Sequence, residues 1–387
     1  MIAPFGDAVA PATTRDVVDA VRSAAAARTP LRIVGSGTWL DAGRPARDAA
    51  PLALGARAGV VDYVPGDLVL TARAGTSLAE LARVTAAERQ FLALDPFGSG
   101  EGTLGATVAT ASSGPLAHAF GGPRDNVIGV EFVTGTGDVV RGGGRVVKNV
   151  AGFDLVRLVT GAWGTLGALT EISVRLRALP EVDETVALAL PAAPDALGPW
   201  LARLRTASLA AWALEMVNGP LAERLGLGRR PLLLARLAGN ADVVRAQRAT
   251  LAALAYPADV ASDVWRALRA AEPPRAAVVR ASTLPSRLAE LCAPLFSPAA
   301  GAFGILAHAS VERGVVRQIY LGDEAFGFDP QVLGGARVIV ERLPAALWPS
   351  VGAVLAPSRV TDRLARGVRA AFDPYRIMNP GILGEAE

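Results

Sequence analysis

Glycine, hydroxyl and proline residues crowd into two stretches of the chain in a pattern suited to holding a phosphorylated ligand. The first is VGSGT at 34–38, comprising Val34, Gly35, Ser36, Gly37 and Thr38. The second is residues 95–180, where Gly98, Gly100, Gly102, Gly105, Gly114, Gly161, Gly164 and Gly167 are spread over three loops between apolar runs. Without a Cβ, glycine lets backbone N–H groups approach an anion and permits turns of positive φ. Consecutive donors from Gly35, Ser36, Gly37 and Thr38 would neutralise a doubly charged pyrophosphate through charge-assisted hydrogen bonds of about 1.5–3 kcal/mol each. Alone, a strand ending in Gly-Ser-Gly is more often an ordinary tight turn; the second block favours the phosphate reading.

GEGTLG at 100–105 fits the dinucleotide fingerprint G-x-G-x-x-G, with Asp125 twenty residues beyond. That fingerprint turns directly out of a buried strand within a βαβ unit. Here Asp95, Pro96 and Phe97 intervene, so a nicotinamide-binding unit is the weaker reading. Cys292 is the single cysteine and lies in the apolar helical pattern LAELCAPLF, which suits a buried structural thiol. It excludes an internal disulfide framework and a four-cysteine iron–sulfur site. With two histidines in the chain, no metal site is expected.

Four further groups carry two readings each. Lys148 and Asn149 could place a cation beside a ligand or partner, but an Asn turn with Asp154 capping the following helix is the simpler account. His118 reads as a loop or core histidine before it reads as a base. His308, in ILAHAS, could face a substrate cleft, although a satisfied structural histidine is favoured. Arg313 and Arg317 could grip a carboxylate, and a solvated strand face explains them equally well.

The elements that must position these groups follow from periodicity. Residues 13–28 form a helix capped by Thr13 with Asp16 three residues on, Val17, Val18, Val21 and Ala25 sharing a face. LRIV at 31–34 is a short buried strand that runs straight into the first glycine loop. Ser77 and Glu80 make a capping box for a helix reaching to about Gln90. VIGVEFVT, the TGTGD turn and DVVR read as a hairpin. In TEISVRLR, Ile172, Val174 and Leu176 alternate with polar residues, giving a strand with one buried face. After Pro180 strand candidates (VALAL, PLLLARLAG, GAFGILAHAS, VVRQIYLG) alternate with helices such as DVVRAQRATLAALA.

At 387 residues the chain suits two or three domains, and a hydrophobic fraction of 51% is ample for their cores. Its 39 basic and 36 acidic side chains are scattered and nearly balanced, which argues against a nucleic-acid surface. No apolar stretch reaches the roughly 18 residues of a membrane span, and a cytoplasmic location is expected.

Together, LRIVGSGT, GTLGATVATASSG, GPRDNVIGV, GGRVVKNVAGFDL and GAWGTLGALTEI resemble the FAD-binding domain of the vanillyl-alcohol oxidase superfamily, also called PCMH-type. More narrowly, residues 143–180 are similar to the family of FAD-binding E subunits of bacterial glycolate oxidases. The resemblance covers about residues 10–180 and, more faintly, FDPYRIMNPGIL in the tail. It implies an α+β fold: a two-subdomain PCMH-type FAD-binding domain at 1–182, an α+β cap or substrate domain at 183–345, and a C-terminal segment at 346–387 returning to the FAD domain.

Carried over by position, Val34, Gly35, Ser36, Gly37 and Thr38 wrap the pyrophosphate. Pro96, Gly102, Thr103, Gly105 and Ala106 lie along the flavin, and Ser112, Ser113 and Gly114 continue that wall. Gly164 and Leu169 approach the adenine and ribose, and Asn379 closes the site. Relatives with covalent FAD carry a histidine beside the first loop; this loop has none, so the FAD is expected to be non-covalent. Ala162 replaces a common serine, weakening one side-chain contact.

The implied function is that of the FAD-binding subunit of a glycolate oxidase-like complex, an oxidoreductase component acting on a small 2-hydroxy acid. Its partners would be a catalytic flavoprotein subunit and an iron–sulfur subunit, with membrane contact only indirect, at the inner face. No catalytic residue is assigned. The alternatives are a self-sufficient FAD-dependent oxidase or dehydrogenase and a flavin-free assembly subunit.

Overall fold

The computed structural model describes residues 9–45, 48–144, 153–296, 304–321, 335–351 and 363–384. Lys148, Asn149, Ala151 and Gly152 lie outside them. The first helix, α1 (Thr14–Ala27), forms as its sequence dictates. The Thr13 side chain accepts from the Asp16 N–H while Asp16 reaches back to the Thr13 N–H, completing a capping box. Its apolar face (Val17, Val18, Val21, Ala24 and Ala25) is buried against Leu31, Leu52 and Met378. Arg28 in the left-handed region ends the helix, and Pro30 leads into β1 (Leu31–Val34).

Strand β1 pairs in parallel with β2 (Ala50–Ala53), from Leu31 opposite Ala50 to Val34 opposite Ala53. Its other edge is taken by the chain's tail. The Leu31 N–H donates to the Ile377 carbonyl at 2.7 Å, and the Asn379 N–H donates to the Leu31 carbonyl at 2.9 Å. The Asn379 side chain then spans two elements: Oδ1 accepts from the Ile33 N–H at 2.8 Å, and Nδ2 donates to the Trp163 carbonyl at 2.7 Å. Asp373, buried, supports this turn by accepting from the Ile377 and Met378 N–H groups at 3.0 and 2.9 Å.

The next unit is a five-stranded antiparallel sheet built from β3 (Val60–Val64), β4 (Val69–Arg73), β6 (Val127–Val133), β7 (Val139–Gly143) and β8 (Ala168–Arg175), in the order β3-β4-β8-β6-β7. The expected hairpin is β6–β7. The expected alternation falls on β8 and the residue after it, with Ile172, Val174 and Leu176 buried in a core shared with Leu70, Leu104 and Phe132. Helix α2 (Leu78–Ala86), capped by Ser77, stops short of the expected Gln90. Arg89 adopts a φ of 52°, and Gln90 opens a two-residue strand, β5 (Gln90–Phe91), paired with β9 (Arg177–Ala178). The cause is the Gln90 side chain, which accepts from the Tyr63 hydroxyl at 3.0 Å and donates to the Pro65 carbonyl at 2.8 Å. Asp154 does cap the helix Leu155–Val159, accepting from the Arg157 N–H at 3.0 Å.

The second large sheet has eight strands, all paired antiparallel: β10 (Val182–Ala189), β11 (Ala213–Val217), β12 (Leu232–Gly239), β13 (Ala258–Val260), β14 (Ala277–Ser282), β15 (Ile305–Ser310), β16 (Val315–Tyr320) and β17 (Arg337–Arg342). Their order is β13-β10-β12-β11-β15-β16-β14-β17. One face packs Met216, Leu233, Leu237 and Ala309 against the helices Leu197–Thr206, Ala241–Ala252 and Leu288–Phe296. Cys292 lies in this core, and burial pushes its thiol pKa well up, so it is inert packing. The opposite face carries Glu215, His308, Arg317 and Arg280, and it meets the loop holding Phe97.

Asn379→Ala removes two side-chain hydrogen bonds and strands two backbone groups, so the fold should lose about 2–4 kcal/mol. Urea unfolding of parent and variant measures this directly; an unchanged midpoint would mean that the β1 edge is held without Asn379.

Candidate functional site

Beyond the end of β1 lies a cavity that opens to solvent, lined mostly by apolar and glycine residues with a few polar groups, as small-molecule and cofactor sites are. Fourteen of the residues singled out above line it: Val34, Gly35, Ser36, Gly37, Thr38, Pro96, Gly102, Thr103, Gly105, Ala106, Ser112, Gly164, Leu169 and Asn379. Ser113 and Gly114 stand outside the lining. The Ser113 hydroxyl turns back to the Ala111 carbonyl at 3.1 Å. A Cβ at Gly114 would collide with the Asp95 carbonyl, so this glycine serves chain packing.

The first loop is set by Gly37, whose φ of +80° is a left-handed conformation that other residues adopt under strain. Among the described residues, no protein acceptor takes the N–H groups of Ser36, Gly37 or Thr38. Backbone donors beside a cavity with no protein partner are what an anionic ligand completes. The loop is tied to the second wall by the Ser36 hydroxyl, which donates to the Glu101 carbonyl at 2.6 Å.

That second wall explains why GEGTLG is not a dinucleotide fingerprint. Residues 100–105 run alongside 74–79 through backbone bonds: Ala79 N–H to Gly100, Leu78 to Gly102, Leu104 to Thr76 and Gly105 to Ala74. The segment is thus an edge laid against another chain segment and not a turn leaving a buried strand. Gly105 is required there, since a Cβ would sit 2.8 Å from that of Ala74. The short helix α3 (Leu104–Thr110) starts here with Thr103 as its cap, accepting from the Ala106 N–H at 3.2 Å.

The third wall comes from 162–169. Gly164 has a φ of +70°, and a Cβ would lie 2.7 Å from Asn379 Nδ2. Trp163, whose carbonyl Asn379 holds, brings its own side of that turn into the lining.

Sequence reasoning missed several lining residues. Arg32 on β1 brings a positive charge to the cavity. Its Nη2 donates to the Ala42 carbonyl at 3.2 Å, its Nη1 is buried without a partner, and burial pushes its pKa down. The Ser112 hydroxyl is likewise buried and unpartnered. Trp39, Phe97 and Trp163 supply aromatic surface. A charged residue inside a four-residue strand leading directly into a glycine loop was the available signal for Arg32.

Of the residues set aside earlier, His308 and Arg317 lie on the second sheet against Phe97, while Arg313 sits in the turn between β15 and β16 and His118 on the helix Ala117–Phe120. The solvated-face reading fails for Arg317, which is 2% exposed, stacks 4.2 Å from the Phe97 ring and pairs with Glu272 and Glu341. Arg313 is half-buried. His308 is buried with Nδ1 at 2.9 Å from Glu215 Oε2. His118 Nε2 lies 3.8 Å from the Glu312 carboxylate, and burial pushes its pKa down. Among the described residues, no group of three or more His, Cys, Asp or Glu side chains is placed to hold a metal ion.

A charged, glycine-walled cavity with spare backbone donors calls for a phosphorylated cofactor, and the comparisons name it: residues 8–143 match a family of FAD binding domains. The match spans the first glycine loop, the 96–106 edge and the hairpin β6–β7. It is also 39% identical over 168 residues to the glycolate oxidase subunit GlcE of Escherichia coli, a match covering 43% of this chain and 48% of that protein. Over 213 residues it is 31% identical to the glycolate oxidase subunit GlcD of Bacillus subtilis, covering 55% of this chain and 45% of the other. The chain thus spans about half the length of the curated relatives it matches.

The whole fold is shared more widely. A structure of p-cresol methylhydroxylase with substrate bound superposes with a TM-score of 0.72 at 15% identity, over 98% of this chain and 88% of that one. An alkyldihydroxyacetonephosphate synthase gives 0.70 at 17% identity, over 96% and 76%. The α+β, PCMH-type architecture implied by the motifs is therefore the observed one.

Two tests follow. Gly37→Asp places a side chain and a negative charge where the free donors lie, and FAD content after purification should fall at least tenfold, as a loss of about 1.4 kcal/mol or more requires; full retention in a folded variant would move the phosphates elsewhere. Asp95, which precedes Pro96 and accepts from the Leu116 N–H at 3.0 Å, has its pKa pushed by burial up to about 6, Arg269 opposing the shift. An unfolded aspartate titrates near ~3.9, so between these values the folded state binds more protons and stability falls as pH rises. Relative to the parent, Asp95→Asn should therefore gain stability from about pH 4 to pH 6; a pH-independent difference in unfolding free energy would contradict the shift.

Proposed function

We propose that this chain is the FAD-binding component of an assembly that oxidises a small 2-hydroxy acid, glycolate to glyoxylate being the model reaction, and passes the electrons on. The observation that carries the reading is the row of unpartnered N–H groups at 36–38 at the mouth of a cavity whose walls come from the motifs of an FAD-binding domain. When bound, FAD supplies a two-electron acceptor for the hydride that leaves the α-carbon. The chain's own residues do the rest. The 35–38 loop and Arg32 meet the phosphates. The 96–106 edge and the 162–169 turn hold the two ends of the cofactor, and Trp39, Phe97 and Trp163 keep water from its faces.

On this reading the FAD-binding unit is 1–182, the eight-stranded sheet and its helices form a substrate or cap unit at 183–345, and 346–387 closes the cavity. Its partners are a catalytic flavoprotein and an iron–sulfur protein, which would supply the outgoing electron path. Peripheral attachment at the inner membrane face would come through them; no described helix is long and apolar enough to cross a membrane.

The FAD is held without a covalent bond. Among the described lining residues none is histidine, cysteine or tyrosine, the side chains whose nucleophilic atoms could bond the flavin ring. The purified chain should be yellow, and acid precipitation should leave all the colour in the supernatant. Colour that stays with the precipitate would refute the non-covalent assignment, and a colourless chain that cannot be loaded with FAD would refute the functional reading itself.

A further inference from the structure

Behind Phe97, two buried side chains stand side by side with one nitrogen each left over. His308 on β15 and Arg317 on β16 are directly opposite in the strand register. Opposed residues on neighbouring antiparallel strands point to the same face, with Cα atoms about 4.5–5.5 Å apart. His308 is 4% exposed and Arg317 is 2% exposed. Among the described residues, His308 Nε2 and Arg317 Nη2 have no hydrogen-bond partner.

Their other atoms are committed, and that commitment fixes what the free ones can do. Glu215 Oε2 lies 2.9 Å from His308 Nδ1. In the neutral ring, a carboxylate there takes the Nδ1 proton as its hydrogen bond, which leaves Nε2 as a bare acceptor. Arg317 gives Nε to Glu272 and Nη1 to Glu341, and its remaining Nη2 has only N–H donors to offer. A fixed acceptor therefore sits beside a fixed cationic donor.

Phe97 covers both, with its ring centroid 5.1 Å from the His308 ring and 4.2 Å from the Arg317 guanidinium. The same side chain lines the cofactor cavity. Phe97 is thus the shared wall between the two buried side chains and the cavity where FAD is read to lie.

We propose that His308 Nε2 and Arg317 Nη2 form the recognition site for a small 2-hydroxy acid, Arg317 donating to a carboxylate oxygen and His308 accepting from the adjacent hydroxyl, with Phe97 swinging aside to admit it. The proposal rests on the FAD-dependent reading above and adds to it the groups that read the substrate. The match is one of hydrogen-bonding sense: a 2-hydroxy acid presents an acceptor and a donor on neighbouring atoms, complementary to this donor and acceptor. A plain carboxylate leaves His308 unmet, and a neutral alcohol leaves Arg317 unmet.

The test is calorimetric titration of the FAD-loaded full-length chain, kept anaerobic, with glycolate and with acetate, which lacks only the hydroxyl. Glycolate should bind at least about tenfold more tightly than acetate, because a site built around a hydroxyl discriminates strongly against its absence. His308→Asn should bring the glycolate affinity down to that of acetate. Arg317 is tied into two ion pairs, and its variants risk misfolding; Phe97→Ala serves instead and should tighten glycolate binding several-fold by removing the cover. Equal affinities for the two acids, or glycolate binding indifferent to both variants, would overturn the site. A yellow chain that fails to tell glycolate from acetate overturns the site and leaves the cofactor reading standing. A colourless chain that does tell them apart supports the site and overturns the cofactor reading.

Discussion

The arrangement of the cavity depends on one side-chain amide. Asn379 holds the Ile33 N–H with its oxygen and the Trp163 carbonyl with its nitrogen, and so fixes the spacing between the strand that launches the first glycine loop and the turn that forms the third wall. An amide is the side chain that can accept from one backbone and donate to another at once; aspartate would oppose the Trp163 carbonyl and leucine would leave both groups unmet. Gly164 is then required beside it, because any Cβ would fall on the amide nitrogen. The cavity is a gap held open by a staple rather than a hole left by poor packing.

A second connection ties this gap to the eight-stranded sheet. The Arg342 guanidinium bridges Asp41, just beyond the first glycine loop, and Glu272, whose other oxygen pairs with Arg317. Glu341 joins Arg317 to Arg280, whose Nε lies 2.6 Å away, and its carbonyl accepts from the Gly43 N–H at 2.9 Å. Arg317 holds the Glu341 pKa down to about 2 against the cost of burial, with Arg280 adding to the effect. A network of this kind is stabilising only while all members are present, since removing one leaves a buried charge unmatched. The first glycine loop and the face that carries His308 are therefore positioned by the same set of charges.

Much of this was legible in the chain's sequence wherever the cause is local. The capping box of α1, the hairpin β6–β7 and the alternation of β8 depend on neighbours within a few residues, and all stand where periodicity and turn chemistry put them. What was not legible depends on distant partners. The strands Ala213–Val217 and Ala277–Ser282 each carry a charged residue whose partner is remote, so the run reads as broken when it is a largely buried strand. Arg32 was passed over for the same reason. Gly114 reads as part of a glycine wall but answers to a carbonyl nineteen residues earlier, at Asp95. The end of α2 was misplaced because Gln90 is pulled away by Tyr63 and Pro65, a contact no helical pattern contains.

The Asn379 staple also has a consequence for biosynthesis. The two ends of its bond to Ile33 are 346 residues apart in the chain. At roughly 5–20 residues per second, synthesis leaves an interval of about 20–70 s during which the first glycine loop exists without its clamp. Over that time a nascent chain cannot hold the cavity's walls at their final separation, and FAD arriving early meets a loop with no fixed opposite side. Cofactor capture is in this way deferred until the segment that carries Asn379 has been made, which makes flavin retention a check on synthesis through that segment as well as on folding.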